Sequence, residues 1–263
     1  MERGRLVVGN WKMELSHKGE CEVARSLKRQ LASRKMGVEI VVCPSFPSLP
    51  AVSELMAGVA AVSVGAQNVS AEETGAQTGA VSVSQIAPFA HWCIVGHSEV
   101  RARSGAGDEQ VQAAMSLLLS HGILPIVCIG ESREEREADA AVDKIEAQMT
   151  VLLNKLTRTA LTRLVVAYEP IWAISSQQPD SLPDPDEVTG IMLLIRKLAA
   201  ARFGSEAAQR LRVVYGGSVT ADTVNSFVAE PGVDGVLVGS ASVRPRELIR
   251  IAEVVAQARG SLH

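Results

Sequence analysis

Eight short apolar runs bounded by turn residues recur along the chain, and this alternation constrains the fold more than any other feature of the sequence. Segments with helical periodicity lie between most of them. A repeated strand–helix unit implies parallel pairing with right-handed crossovers, and eight such units close into a barrel more readily than they lie in an open sheet. The sequence therefore predicts an α/β fold, an eight-stranded parallel (β/α)8 barrel that forms a single domain over residues 1–263.

The predicted strands are 6–9, 40–43, 62–66, 92–95, 124–128, 164–167, 213–215 and 235–238. The clearest predicted helices are 20–33, 51–56, 107–120, 134–156, 186–203 and 245–258, and the links after the third and seventh strands are shorter. The competing doubly wound sheet usually carries a GxGxxG motif after its first strand. Here Asn10, Trp11 and Lys12 follow that strand, which favours the barrel.

The composition agrees with this fold and excludes several classes of partner. Apolar residues make up 47% of the chain but aromatic residues only 3%, so the core must be aliphatic, as in helix-covered parallel sheets. The net charge of −3 argues against a nucleic-acid or anionic-membrane partner, and no apolar stretch approaches the roughly 18 residues that span a bilayer. With no signal-peptide pattern and no metal-ligand spacing among four cysteines, we expect a cytoplasmic, metal-free protein.

The polar residues of the chain concentrate where predicted strands end, and in a βα barrel those ends share one active site. Each of them also has an ordinary structural explanation, such as a solvated lysine, a helix-capping histidine or a tight turn. Five convergent strand ends favour a common site over five coincidences. They carry Asn10 and Lys12, Gly96-His97-Ser98-Glu99, Glu169, Gly216-Gly217-Ser218, and Gly239-Ser240.

The residue types in this set predict a reaction class. Glu169 ends a buried apolar strand just before Pro170, which makes it a candidate general base, although a carboxylate on a solvated edge would look the same. His97 begins a helical segment whose dipole disfavours an imidazolium and keeps a neutral N–H donor. Glycine-rich turns expose backbone N–H groups to a phosphate, and Lys12 adds positive potential. Together they predict proton abstraction beside a carbonyl in a small sugar phosphate.

The chain resembles the triosephosphate isomerase family from Val8 to about Leu248. The resemblance implies a TIM barrel that interconverts dihydroxyacetone phosphate and D-glyceraldehyde 3-phosphate, a step of glycolysis and gluconeogenesis, without a cofactor. The segments that carry it are GNWKM at 9–13, GAQN at 65–68, GHSE at 96–99, CIGE at 128–131, AYEPIWA at 167–173, YGGSV at 215–219 and DGVLVG at 234–239.

The resemblance also implies roles for individual residues. Asn10 and Lys12 would contact substrate, His97 would be the electrophile, Glu169 the base and Glu99 an active-site carboxylate. The segment that opens at Pro170 resembles the family lid, which closes over the phosphate. Backbone groups would bind that phosphate at Ser175, Ser218, Gly239 and Ser240.

The chain departs from the family pattern in three places. The lid usually continues Ala-x-Gly-Thr-Gly-Lys, but residues 173–178 read AISSQQ and a longer linker, 179–185, follows. The usual Gly-Gly after the eighth strand is Gly239-Ser240. In the family, a loop inserts into the partner subunit of a homodimer, and here Thr74 to Ala80 resembles that loop. Ala80 and Val100 replace the glutamate and arginine that normally pair at this interface.

Two alternatives stand beside the triose reaction. An isomerase of a four-carbon ketose phosphate would use the same groups under a roomier lid. A catalytically idle phosphate-binding barrel is the alternative from another class, and its expected mark is the loss of Lys12, His97 or Glu169. All three residues are present.

Overall fold

The computed structural model describes residues 4–174, 177 and 182–258, and its eight strands form a closed, all-parallel barrel in chain order. The last strand pairs with the first, from Leu6 opposite Gly235 to Gly9 opposite Val238. The predicted (β/α)8 barrel is thus confirmed. The strands are β1 (Leu6–Asn10), β2 (Glu39–Cys43), β3 (Val62–Ala66), β4 (Trp92–Val95), β5 (Leu124–Ile129), β6 (Val165–Tyr168), β7 (Arg212–Tyr215) and β8 (Gly235–Val238).

Helices follow the strands and cover the outside of the barrel. Their starts carry the expected capping residues: Ser16 Oγ accepts from the Gly19 N–H at 3.3 Å, and Asp184 caps a helix that begins with proline. No described helix is long and apolar enough to cross a membrane. The helices are α1 (His17–Leu31), α2 (Leu49–Met56), α3 (Val83–Ile86), α4 (Ser98–Ser104), α5 (Asp108–Ser120), α6 (Arg133–Glu137), α7 (Ala141–Leu153), α8 (Arg158–Leu161), α9 (Pro185–Phe203), α10 (Ser205–Ala208), α11 (Val224–Val228) and α12 (Pro245–Gln257).

One predicted helix is wrong in its extent. The periodic segment 134–156 is two helices, α6 and α7, because the chain turns between them. Asp139 adopts a left-handed φ of 56°, a conformation that aspartate tolerates better than most residues. The Ala140 N–H bonds back to the Glu135 carbonyl at 2.8 Å, which closes the turn. Apolar periodicity continues across this break and so does not reveal it.

Two apolar clusters hold the barrel together, one inside the sheet and one between the sheet and the helices. Successive strand residues face opposite sides, so Val8 lies inside the barrel while Val7 packs against the helices. Burial on both faces explains why the strands are continuous apolar runs. The interior cluster consists of Leu6, Val8, Val41, Cys43, Trp92, Ile94, Ile126, Cys128, Val165, Ala167, Val214 and Leu237.

A buried ion pair joins α9 to the start of β8. The Arg196 guanidinium lies 2.5 Å from Asp234 Oδ2 and also donates to the carbonyls of Leu211 and Gly232, each at 2.7 Å. Asp234 Oδ2 in turn accepts from the Val213 N–H at 2.8 Å. Because several hydrogen bonds satisfy both charges, the pair fixes the outer helix layer against the last two strands.

We expect Asp234→Ala to lower the free energy of unfolding by about 3–5 kcal/mol, because Arg196 would remain buried without its carboxylate. Urea denaturation at fixed protein concentration measures this loss. The matched control is Glu253→Ala, which breaks an exposed pair with Arg34 at 2.5 Å and should cost at most about 1 kcal/mol. Equal losses in the two variants would contradict the role of the buried pair.

Candidate active site

The ends of the strands bring five of the predicted site residues to one cavity. Its lining includes Asn10, Lys12, His97, Glu169 and Gly239, which come from four different strand ends and lie far apart in sequence. All of these residues follow or end their strands at the carboxyl side of the barrel, as the barrel fold requires of an active site. The remaining walls are Ile174, Gly216, Gly217 and Leu237.

The Glu169 carboxylate is only 2% exposed and has partners on several sides. Its Oε1 lies 3.1 Å from His97 Nε2, and its Oε2 accepts from the Ser98 N–H at 3.4 Å. Burial raises the pKa of the Cys128 thiol, and a hydrogen bond with Glu169 raises it further, so the thiol stays neutral beside the carboxylate. These contacts hold Glu169 against the imidazole in the absence of a ligand.

Two glycines leave the space that Glu169 occupies. A Cβ on Gly216 would lie 2.6 Å from Glu169 Cγ, and a Cβ on Gly130 would lie 1.8 Å from the Glu169 carbonyl oxygen. Real Cβ atoms do not approach other atoms so closely, so both positions require glycine for close approach. Gly216, which was predicted for a phosphate-binding turn, therefore also makes room for the Glu169 side chain.

His97 caps α4 and has a defined tautomer. Its Nδ1 accepts from the Glu99 N–H at 3.2 Å, so a neutral ring carries its proton on Nε2, facing Glu169. Burial lowers the pKa of His97, but the carboxylates of Glu169 and Glu99 raise it by more, so the net shift is upward from 6.5. The helix dipole alone predicted a disfavoured imidazolium. The Glu169 carboxylate, 3.1 Å away, acts in the opposite direction and raises the pKa of His97.

Lys12 is held in a strained backbone conformation with its ammonium over the site. Its φ is 51°, a left-handed conformation that costs a non-glycine residue of order 1–3 kcal/mol. Its N–H donates to Asn10 Oδ1 at 3.1 Å, and Gln67 Nε2 donates to its carbonyl at 2.9 Å. The Lys12 Nζ lies 2.6 Å from Glu99 Oε1, so Glu99 reaches the site through the lysine.

The predicted phosphate-binding groups are only partly assembled. Gly239 lines the cavity, and Ser240 begins the 3₁₀ helix Ser240–Val243 directly after it. The Ser218 N–H donates to the Ala173 carbonyl at 3.0 Å, so it is occupied by the first residues of the lid. Ser175 lies outside the described residues. Among the residues that the structure describes, no group of three or more histidine, cysteine, aspartate or glutamate side chains is arranged to hold a metal ion.

Comparison with known proteins agrees with this geometry. Residues 5–255 match the family model described as Triosephosphate isomerase. The chain belongs to the triosephosphate isomerase family. A protein of Symbiobacterium thermophilum named triosephosphate isomerase is 40% identical over 98% of this chain and 99% of its own length. Proteins with the same name from Clostridium botulinum (37%; 95% and 98% covered) and Corynebacterium glutamicum (40%; 96% and 97% covered) are also similar.

In this triosephosphate isomerase family member, a carboxylate that was not predicted for the site contacts the segment that opens at Pro170. Glu131 is fully buried, and its Oε1 accepts from Tyr168 OH at 3.1 Å and from Trp172 Nε1 at 2.9 Å. The Arg136 guanidinium lies 3.8 Å from the same oxygen and 5.6 Å from the centre of the Trp172 ring. Glu131 follows β5 and Gln67 follows β3, and both lie in segments that carry the family resemblance, but no role was predicted for either.

Gly216→Ala should displace the Glu169 side chain, because the added methyl group would lie too close to Glu169 Cγ. Losing the adjacent anion disfavours the imidazolium, so the pKa of His97 should fall relative to the wild type. NMR titration of the His97 ring measures the change. Gly190→Ala is the control, since a Cβ there meets no atom within 4 Å. An unchanged His97 pKa in Gly216→Ala would contradict the proposed clearance.

Proposed function

We propose that this chain is a triosephosphate isomerase that interconverts dihydroxyacetone phosphate and D-glyceraldehyde 3-phosphate through an enediolate, with no cofactor. The observation that carries the proposal is the convergence of the Glu169 carboxylate and the His97 Nε2 on the cavity that Lys12 also lines. A base, a neutral N–H donor and a cation are the groups that proton transfer beside a carbonyl needs. Family membership supports the same reaction.

In the proposed mechanism, Glu169 takes a proton from the carbon next to the carbonyl and the carbonyl oxygen gains negative charge. The His97 Nε2–H and the Lys12 ammonium stabilise that oxygen, which gains a proton while the hydroxyl on the carbon that Glu169 deprotonated loses one. Glu169 returns its proton to the former carbonyl carbon, and the carbon that it deprotonated becomes the new carbonyl. Because Glu169 contacts His97, a substrate oxygen that bonds to Nε2 must displace the carboxylate. The substrate oxygen then takes the place of the carboxylate at Nε2, which frees Glu169 to face carbon.

The phosphate would bind to the backbone N–H groups of Gly239 and Ser240, with those of Ser218 and Ser175 added when the lid closes. The hydrogen bond from the Ser218 N–H to the Ala173 carbonyl supports this order of events, since lid movement that breaks it releases a donor beside Gly239. A closed lid excludes water and keeps the enediolate from losing phosphate.

The loop from Thr74 to Ala80 would form the centre of a homodimer interface. Residues 72–80 are all exposed, and the hydrogen bond from the Ser70 N–H to the Val81 carbonyl at 2.8 Å closes the base of the loop. Met13, next to Lys12, is 95% exposed, which supports a partner that covers the edge of the site. The whole chain, 1–263, would act as one catalytic domain.

A reducing compartment such as the cytoplasm is the proposed location. All four cysteines are free and buried. Proteins of oxidising compartments more often pair their cysteines in disulfides.

The test of the function is a coupled assay with three- and four-carbon substrates. We expect kcat/KM for D-glyceraldehyde 3-phosphate to exceed that for a four-carbon ketose phosphate. The extra carbon would have to fit between the phosphate-binding turn and Glu169. A preference for the four-carbon substrate would instead support the alternative isomerase. Absence of turnover with either substrate would support the idle phosphate-binding barrel.

Glu169→Gln should leave the fold intact and lower kcat by at least about 10²–10⁴-fold, because an amide cannot accept the substrate proton. Steady-state kinetics measure the loss, and circular dichroism checks the fold. Glu253→Gln, on the exposed face of α12, is the matched control and should behave as wild type. Activity of Glu169→Gln within a few-fold of wild type would remove Glu169 from the role of base.

Val100→Arg should weaken the homodimer, because the new charge would meet Ala80 and find no carboxylate there. The double variant Val100→Arg with Ala80→Glu supplies the counter-charge and should recover the lost association. Light scattering across micromolar concentrations measures both. A monomeric wild type, or a single variant that associates more tightly, would overturn this assignment of the interface.

A further inference from the structure

A second cavity, of about 340 Å³, lies on the side of Glu169 away from the substrate site. Of the residues that line the two cavities, Glu169 is the one that they share. The volume falls at the lower end of the roughly 300–1,000 Å³ typical of small-molecule sites. Its walls include Ser98 at the start of α4, Ala106 and Gly107 before α5, and Gln148 on α7.

Small residues on one wall keep this cavity open. Ala106 and Gly107 contribute almost no side-chain volume where the chain passes from α4 to α5. A Cβ on Gly107 would meet only Glu109 Oε2, at 3.5 Å. A larger side chain at Ala106 would therefore extend into space that is now empty.

One buried polar group in this wall, the Ser98 hydroxyl, has no protein partner in the described part of the chain. Ser98 is 8% exposed, and its Oγ makes no hydrogen bond there. Gln148 is 3% exposed; its Oε1 accepts from the Gly130 N–H at 3.0 Å, while its Nε2 has no hydrogen bond to any described residue. Burying a hydroxyl without a partner is costly, so a ligand that hydrogen-bonds Ser98 would be stabilised, and the Gln148 amide offers it a second donor.

The charges around the cavity restrict the ligand class. The Arg101 guanidinium is paired with Asp108 at 2.7 Å, and the Lys144 ammonium is paired with Glu135 at 3.0 Å. Glu169 then adds a carboxylate, which disfavours an anion. The Gln148 amide N–H groups and the Ser98 hydroxyl need oxygen atoms that accept hydrogen bonds, which a cation does not supply.

We propose that this cavity binds a small neutral polyol whose hydroxyl groups contact Ser98 and Gln148. Since the Ser98 N–H donates to Glu169 Oε2, a polyol seated on Ser98 would stabilise the position in which Glu169 contacts His97. That position is not the one that takes a proton from carbon. The polyol would thus oppose substrate binding and raise the apparent KM, an effect that rests on the proposed isomerase function, whereas the binding itself does not.

Saturation-transfer NMR with glycerol and erythritol tests the binding, with inorganic phosphate present to occupy the substrate site. We expect transfer to a polyol in wild type and in Ala102→Leu, a control on the exposed face of α4, and loss of transfer in Ala106→Leu, which fills the cavity. Absent transfer in wild type, or transfer that persists in Ala106→Leu, would overturn the proposal.

A second variant keeps the test independent of packing at Ala106. Gln148→Glu retains an acceptor for the Gly130 N–H but replaces the Nε2 donor, so it should also abolish transfer. Kinetics with the same polyols should show a higher apparent KM with unchanged kcat in wild type and Ala102→Leu, and no effect in Ala106→Leu. A rise in KM that persists in Ala106→Leu would place the polyol in the substrate site and contradict the proposal. If wild type lacks isomerase activity, the proposed function fails while the NMR experiment still decides the binding.

Discussion

The contact between the Glu169 carboxylate and the His97 ring is the interaction on which the rest of the site depends. A buried carboxylate is costly unless it is hydrogen-bonded, and here His97 Nε2 and the Ser98 N–H supply those bonds. The same arrangement fixes the tautomer, because Nδ1 is already committed to the Glu99 N–H. Glycine at 216 provides the clearance that lets the carboxylate lie there. The proposed base and the proposed electrophile are therefore in direct contact.

Two contacts fix the start of the segment that resembles the family lid. Glu131 Oε1 accepts a hydrogen bond from Trp172 Nε1, and the Ala173 carbonyl accepts one from the Ser218 N–H. Both bonds hold this segment in place, and the second occupies the Ser218 N–H, which is a donor proposed for phosphate. Breaking them costs hydrogen bonds that phosphate can replace, so phosphate binding and lid closure would favour each other. This coupling uses residues before the divergent tip at 175–178.

The sequence predicted the barrel well because strands buried on both faces are continuous apolar runs, and each of the eight lies within one residue of its predicted ends. It also predicted which strand ends converge, since topology alone brings them together. It did not predict the break at Asp139, which depends on one residue's backbone conformation. The sequence also did not predict the Glu169–His97 contact, because that contact depends on the side-chain conformations of two residues far apart in the chain. Glu131 was quoted in the CIGE segment but was given no role, because the end of β5 was not among the five strand ends assigned to the site.

Neutron diffraction of the protein in complex with an unreactive enediolate analogue tests the central claim most directly, because it locates both the carboxylate and the ring proton. We expect the Glu169 carboxylate in this complex to have left His97 and to face the carbon atoms of the analogue. We also expect the His97 proton to lie on Nε2 and to point to an analogue oxygen, with Nδ1 unprotonated beside the Glu99 N–H. A carboxylate still bound to His97, or a proton on Nδ1, would contradict the proposed mechanism.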